Sequence, residues 1–296
     1  MPNEHFVLPP NWEWYILLYF FFAGLAGGAF VIGTMLRLWG SAADWVASRI
    51  AFLISLPLLL ICPILLTLDL GKPLDFWHML FNAGTGAPVL KTWSPMSLGA
   101  WALLIFGFFS FVMFLVALGE GDYLRSRALS RVGRLPTNVF GLVFMVIGSI
   151  FGIFIAAYTG VLLAVSNQPV WSDTWTLGGL FLASGLSGAA ATIMLLNRRP
   201  EATATEPKLM EADRYFIIIE LVLIALFLIT LGGLVSKVLG GAWILLWLVV
   251  LVGTLVPLLI EWRPRWTRQV SPVLASVLVL VGVLALRAVI IFSAQA

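Results

Sequence analysis

Hydrophobic residues in this chain do not alternate with polar ones; they run in long, nearly unbroken blocks. Eight such blocks stand out: Trp14–Leu36, Trp45–Leu68, Pro95–Leu118, Thr137–Val165, Thr174–Leu196, Tyr215–Val235, Ala242–Ile260 and Val270–Phe292. At about 1.5 Å rise per residue, most of them exceed the roughly 30 Å of a bilayer's hydrocarbon. In lipid only helices or closed barrels satisfy every backbone polar group, and continuous rather than period-two apolar runs select helices. The pattern predicts an all-α integral membrane protein with eight transmembrane helices. The loop Ser166–Asp173 divides them into two four-helix bundles, residues 1–168 and 169–296. The first block has no basic leader and is too long for a cleaved signal peptide, so it is expected to remain as a span.

Composition supports lipid as the solvent. The chain is 61% hydrophobic and 10% charged, where soluble proteins carry about a quarter charged residues. The few cations are unevenly placed. Loops after the first, third, fifth and seventh blocks hold Arg37, Arg49, Arg125, Arg127, Arg131, Arg134, Arg198, Arg199, Lys208, Arg214, Arg263, Arg265 and Arg268. The other loops hold Lys72, Lys91 and Lys237. This asymmetry predicts that the arginine-rich loops face the cytoplasm and that both termini face outward. The net charge of +3 then reflects orientation in a bacterial inner membrane, not nucleic-acid binding. Tryptophans such as Trp14, Trp39, Trp45, Trp171, Trp175, Trp262 and Trp266 fall near block ends, where an interfacial belt is expected.

Chemistry is bounded by what is scarce. Cys62 is the single cysteine, so no iron–sulfur cluster can be ligated by cysteines of this chain. The two histidines, His5 and His78, lie in a tail and a loop, and neither suits a membrane haem. No metal site is expected.

Charge does enter where the second block ends, in Leu66–Leu80, "LTLDLGKPLDFWHML". Near that same predicted face lie Tyr15 and Tyr19, one turn apart on the first helix, and Tyr158, about two turns before the fourth helix ends. Asp69 closes the second helix, and Asn167 and Gln168 follow the fourth. Phenols, an amide and a carboxylate at one depth match the needs of a quinone headgroup. A tyrosine can donate and accept at one oxygen, and an interfacial carboxylate can pass a proton to water. Interfacial tyrosines also occur simply as belt residues, and Asp69 could instead pair with Lys72. Small-residue ladders (Gly24 and Gly28; Gly148, Gly152, Ala156 and Gly160; Ser184, Gly188 and Thr192) predict close helix packing.

The segments "LDLGKPLDFWHMLFN", "SPMSLGAW" and "AAYTGVLLAVSNQPVW", with "GLAGGAF" in the first helix and "ALRAVIIF" before a late Gln295, resemble the polysulfide reductase membrane-subunit (NrfD-like) family over the whole chain. The resemblance implies a membrane anchor without a redox centre of its own. It implies a non-covalent quinone, menaquinone or ubiquinone, bound at Tyr15, Tyr19, Asp69, Tyr158 and Asn167, with Asp69 and Tyr158 handling protons. It implies an iron–sulfur electron-transfer subunit docked on Lys72, Asp75 and His78, and beyond it a molybdopterin-type catalytic subunit. Were both the quinol and the catalytic subunit on the outer side, energy would be conserved only by moving protons through the protein. Glu220, Glu120 and Arg287 are the candidate relay, with Arg287 able to snorkel. A charged carboxylate at Glu220's depth costs on the order of 2.5–3.5 kcal/mol, which marks it as functional by default. A transporter and a passive anchor without quinone chemistry remain open as alternatives on the residues alone.

Overall fold

The computed structural model describes residues 10–121, 138–197, 205–262 and 272–295. Arg125, Arg127, Arg131, Arg134, Arg198, Arg199, Arg263, Arg265 and Arg268, with His5 and Trp266, fall outside these residues. Eight long helices appear among the described residues, with no strand: α1 (Trp14–Trp39), α2 (Trp45–Asp69), α3 (Pro95–Glu120), α4 (Val139–Ala164), α5 (Leu177–Leu196), α6 (Glu206–Thr230), α7 (Trp243–Trp262) and α8 (Pro272–Gln295). Seven are long and apolar enough to cross a membrane alone. The eighth, α6, qualifies only together with the short helix after it. The protein is a multi-pass membrane protein.

α6 departs most from the apolar pattern. Its first turns lie in the segment 197–213 that reads as a polar loop, and the helix begins at Glu206. Those turns are anchored: Thr205 Oγ1 donates to Asp44 Oδ1 (2.8 Å) and Lys208 Nζ to Asp44 Oδ2 (2.5 Å). At its other end α6 stops at Thr230, not Val235. The chain bends by 107° into Gly232–Leu239, a turn that Gly232 permits with φ +53°. α2, by contrast, runs unbroken through Pro57 and Pro63.

α1 is the central helix. In its most apolar window 83% of residues are buried, against 33% for α3, α4 and α7, which therefore form the lipid-facing rim. Small residues make this position sterically accessible. A Cβ on Gly28 would lie 2.8 Å from the Gly185 carbonyl oxygen of α5. One on Gly27 would strike the Gly152 backbone of α4. α1 also packs on α2 and α8, while α6 packs on α5 and α7, and α8 on α5 and α7. The tryptophan belt is present at Trp14, Trp39, Trp45, Trp175 and Trp262, all exposed near helix ends. Trp171 is the exception: it is fully buried, with its indole N–H donating to Ile290 O (2.8 Å).

The two ends of the described sequence meet. Gln295 Nε2 donates to Trp12 O (3.1 Å), and the Trp12 backbone N–H donates back to Gln295 Oε1. The Trp12 ring stacks on Trp171 at 5.0 Å. Both ends therefore sit where α2 finishes and α3 begins.

Candidate functional site

Two tyrosines lie within electrostatic range of each other at that end. Tyr19 of α1 is 1% exposed and Tyr158 of α4 is 6% exposed, and Tyr19 lies within electrostatic range of Tyr158 and of Cys62 on α2. The Tyr158 hydroxyl donates to Pro95 O at the start of α3 (2.6 Å), and its ring stacks on Phe154. Gly99, one turn into α3, leaves room for that ring: a Cβ there would lie 2.5 Å from Tyr158 Cζ. Helix α3 can start against the ring because Pro95 needs no intrahelical donor, and Ser94 accepts from the Ser97 N–H (3.4 Å).

Asp69 ends α2 half-buried, about 10 Å of helical rise beyond Cys62. Glu13 lies within electrostatic range of it, and it forms no ion pair with Lys72. The arrangement is graded: a carboxylate at the rim, with two buried phenols beneath. Tyr15 is half-buried and stacked on Trp14 (3.9 Å), nearer the surface than Tyr19. Asn167 is exposed. The amide at depth is its neighbour Gln168, whose Nε2 donates to Ala294 O (2.6 Å) while its buried Oε1 has no partner among the described residues. Sequence spacing cannot separate these two adjacent amides.

The charged stretch lies on the outside of this end. Lys72, Asp75 and His78 are all exposed, on and before the 3₁₀ helix Pro73–Met79. Alongside them Leu74 (86% exposed), Phe76 and Trp93 (80%) also face out. The loop is nevertheless ordered by its own bonds, including Val89 N–H to Leu80 O and Asn82 N–H to Ala87 O (both 2.9 Å). It rests on the start of α3, where Trp101 Nε1 donates to Val89 O (3.1 Å) and the Lys91 N–H to Ser97 Oγ (3.2 Å). It presents apolar and charged side chains together.

Of the three relay candidates, the structure groups two. Glu220 (1% exposed) lies within electrostatic range of Arg287. Glu120 sits elsewhere, ion-paired to Arg37 at the far end of α3, where its backbone carbonyl also accepts from Arg49 Nη1 (3.2 Å). Arg287 does not snorkel. It is fully buried and donates to Phe20 O (3.2 Å), Phe181 O (3.1 Å), Val283 O (3.1 Å) and Ser184 Oγ (2.6 Å). Helix capping does not supply these acceptors; tight α1–α5–α8 packing around Gly24 and Gly185 brings them within reach. Two acids escape a reading of the sequence, the buried Asp213 and the half-buried Glu261. A signal for Asp213 exists: it lies two helical turns from Glu220, on the same face.

Comparison with known proteins gives a consistent result. The family described as "Polysulphide reductase, NrfD" matches residues 8–296. The Protein NrfD of Escherichia coli (strain K12) is 26% identical over 310 residues, covering 96% of this chain and 95% of that protein. A Protein NrfD homolog of Haemophilus influenzae is 28% identical, covering 97% of this chain and 95% of its own length. A polysulfide reductase subunit of Wolinella succinogenes is 27% identical, covering 96% of this chain and 94% of its own length.

Proposed function

Because this chain belongs to the NrfD polysulphide reductase family, we propose that it is the quinone-exchanging membrane subunit of a multi-subunit oxidoreductase. One relative is named as a single component of a polysulfide reductase, which supports a role as one subunit among several. The observation that carries the reading is the Tyr19–Tyr158 pair, buried beneath a half-buried Asp69 that has no cationic partner among the described residues.

These residues fit a quinone headgroup. The Tyr158 hydroxyl spends its proton on Pro95 O and keeps lone pairs to accept a hydrogen bond. Tyr19 keeps its hydroxyl proton to donate. Asp69 stands between them and water, where a carboxylate can take up a proton and release it. A bound quinone would supply two-electron, two-proton chemistry; the protein's own part is to hold the headgroup and move protons at these oxygens. Tyr15 lines the approach, and the amide role falls to Gln168 in place of Asn167.

Electrons then leave through a partner. The loop 70–94, with exposed Lys72, Asp75 and His78 beside Leu74, Phe76 and Trp93, is the landing surface for an iron–sulfur subunit. A molybdopterin-type catalytic subunit would lie beyond it. The protein adds no haem or cluster. We place this face on the outside of a bacterial inner membrane, following the arginine asymmetry, with residues 1–168 and 169–296 as the two four-helix bundles.

The test is direct. Purified subunit is expected to retain quinone, and quinol titration is expected to perturb tyrosine fluorescence or infrared bands that Tyr158→Phe removes. A quinone-free subunit whose assembled complex also fails to oxidise quinol, or topology reporters placing residues 70–94 in the cytosol, sinks the proposal.

A further inference from the structure

A second set of polar groups lies among α5–α8, away from the tyrosine pair. Asp213 of α6 is fully buried, and neither carboxylate oxygen has a hydrogen-bond partner among the described residues. It faces Ser187 of α5 and Glu261 of α7. The Ser187 hydroxyl and Glu261 Oε2 are likewise buried and unpartnered. Two turns along α6, about 10 Å of rise, Glu220 is 1% exposed with both oxygens unpartnered. Glu220 is within electrostatic range of Asp213 on one side and Arg287 on the other. Arg214 lies near Glu261, but it pairs with Glu211 (3.7 Å) and packs over the rings of Tyr215 and Trp262.

Ionised carboxylates only accept hydrogen bonds, so Asp213 and Glu261 facing each other have no donor between them. Leaving two buried acids charged, with Glu261 half-buried beside them and one buried cation, is costly. A proton resolves this: it neutralises one acid and becomes the missing donor. The groups also run in order. Glu261 and Asp213 lie near the end that carries Asp44 and Lys208, Glu220 lies deeper, and Arg287 reaches Phe20 O on α1, next to Tyr19. Ser187 and Ser184 sit one turn apart on α5, beside Asp213 and Arg287 respectively.

We propose that α5–α8 enclose a proton-loading path, entered at Glu261 and Asp213 from the end opposite the tyrosine pair and reaching Glu220, with Arg287 as the fixed cation that closes it. The path does not depend on the quinone reading, because proton binding to these acids needs no electron donor. Protons enter at Glu261, are shared with Asp213 and pass to Glu220. The Arg287 guanidinium, held by four acceptors, repels an excess proton, so the path ends at Glu220 and its proton leaves by the way it came, through Asp213 and Glu261.

The test uses the full-length protein in oriented liposomes, with the pH set separately on the two sides. Infrared spectra are expected to show a protonated-carboxyl band that D₂O shifts, part of it lost in Glu220→Gln. That part is expected to follow the pH on the Glu261 side only. In Asp213→Asn its exchange with D₂O is expected to be lost, and in Asp213→Glu to return. A band unchanged by Glu220→Gln, a Glu220 component that follows the opposite side, or unaltered exchange in Asp213→Asn overturns the proposal. Failure to bind or oxidise quinol leaves these readouts intact and tells against the quinone reading alone.

Discussion

The Tyr158 hydroxyl donates a 2.6 Å hydrogen bond to the Pro95 carbonyl, tying the last turns of α4 to the first turn of α3. The ring is thereby held at a fixed height beside Tyr19, and one phenol oxygen is oriented as an acceptor. Removing the hydroxyl should cost about 0.5–1.5 kcal/mol of stability, the net worth of one such bond. Tyr158→Phe is therefore expected to assemble normally. If the tyrosine also serves proton transfer, quinol-coupled turnover should fall by about 10²-fold. Asp69→Asn is expected to show a similar loss, and steady-state quinol oxidation by the assembled complex measures both.

Gly99 offers a steric probe of the same site. Gly99→Ala places a Cβ 2.5 Å from Tyr158 Cζ, so the ring has to move or α3 has to shift. Overpacking of this kind costs about 1–3 kcal/mol. Quinol turnover is expected to drop while helix content by circular dichroism is preserved. Turnover equal to that of the parent protein would show that the ring position is not critical.

Arg287 is expected to be among the least replaceable residues. Arg287→Met strands Glu220 without its cation and frees three carbonyls and a serine hydroxyl. The carboxylate left without its neighbouring cation and the opened acceptors are expected to cost about 3 kcal/mol or more. With Glu220→Gln already present the same change should cost less, because no buried charge is left behind. Thermal unfolding of the four-member mutant cycle in detergent gives the coupling directly.

At the opposite end, Asp44 is fully buried. It accepts from Ser41 N–H (2.6 Å), Ser41 Oγ (2.9 Å), Thr205 Oγ1 (2.8 Å) and Lys208 Nζ (2.5 Å). Asp44→Ala leaves those donors unsatisfied, at about 1–3 kcal/mol for the group. The start of α6 is expected to loosen, seen as faster proteolysis near Thr205. Turnover at the tyrosine end should change little.

The loop 70–94 is expected to separate docking from folding. Lys72, Asp75 and His78 are exposed, so replacing all three with alanine should leave thermal stability within about 0.5 kcal/mol of the parent. Capture of the electron-transfer subunit from membranes should fall. Undiminished co-purification would move the docking surface elsewhere on the molecule.

The spans themselves were legible because lipid imposes a single demand, an apolar run long enough to cross. Seven of the eight runs begin and end within three residues of the observed helices, and the long interruptions at Asp69–Ser94 and Ser166–Asp173 fall where the backbone turns. α6 is the exception. A run that mixes Lys208, Glu211, Asp213 and Arg214 into helical turns does not look like a span, and only Asp44 of the α1–α2 turn explains why those turns hold. Tyr158 and Asp69 were readable as polar residues at one depth. Hydropathy does not record which face a side chain takes, however. Asn167 therefore had the same appearance as Gln168, and Glu120 the same as Glu220, until packing placed one of each pair at the surface or in an ion pair and buried the other.

By itself, the sequence determined the solvent, the helical class and the spans, because hydrocarbon admits few ways to satisfy a backbone. Tertiary structure alone decided that Arg287 would be buried against α1 and α5 instead of reaching for the interface. It also decided that Asp213 and Glu261, forty-eight residues apart in the sequence, would face each other. Both outcomes depend on which helices touch, for Arg287 through the small residues Gly24 and Gly185 that let α1 and α5 approach, a property of the packed bundle that no single apolar run contains.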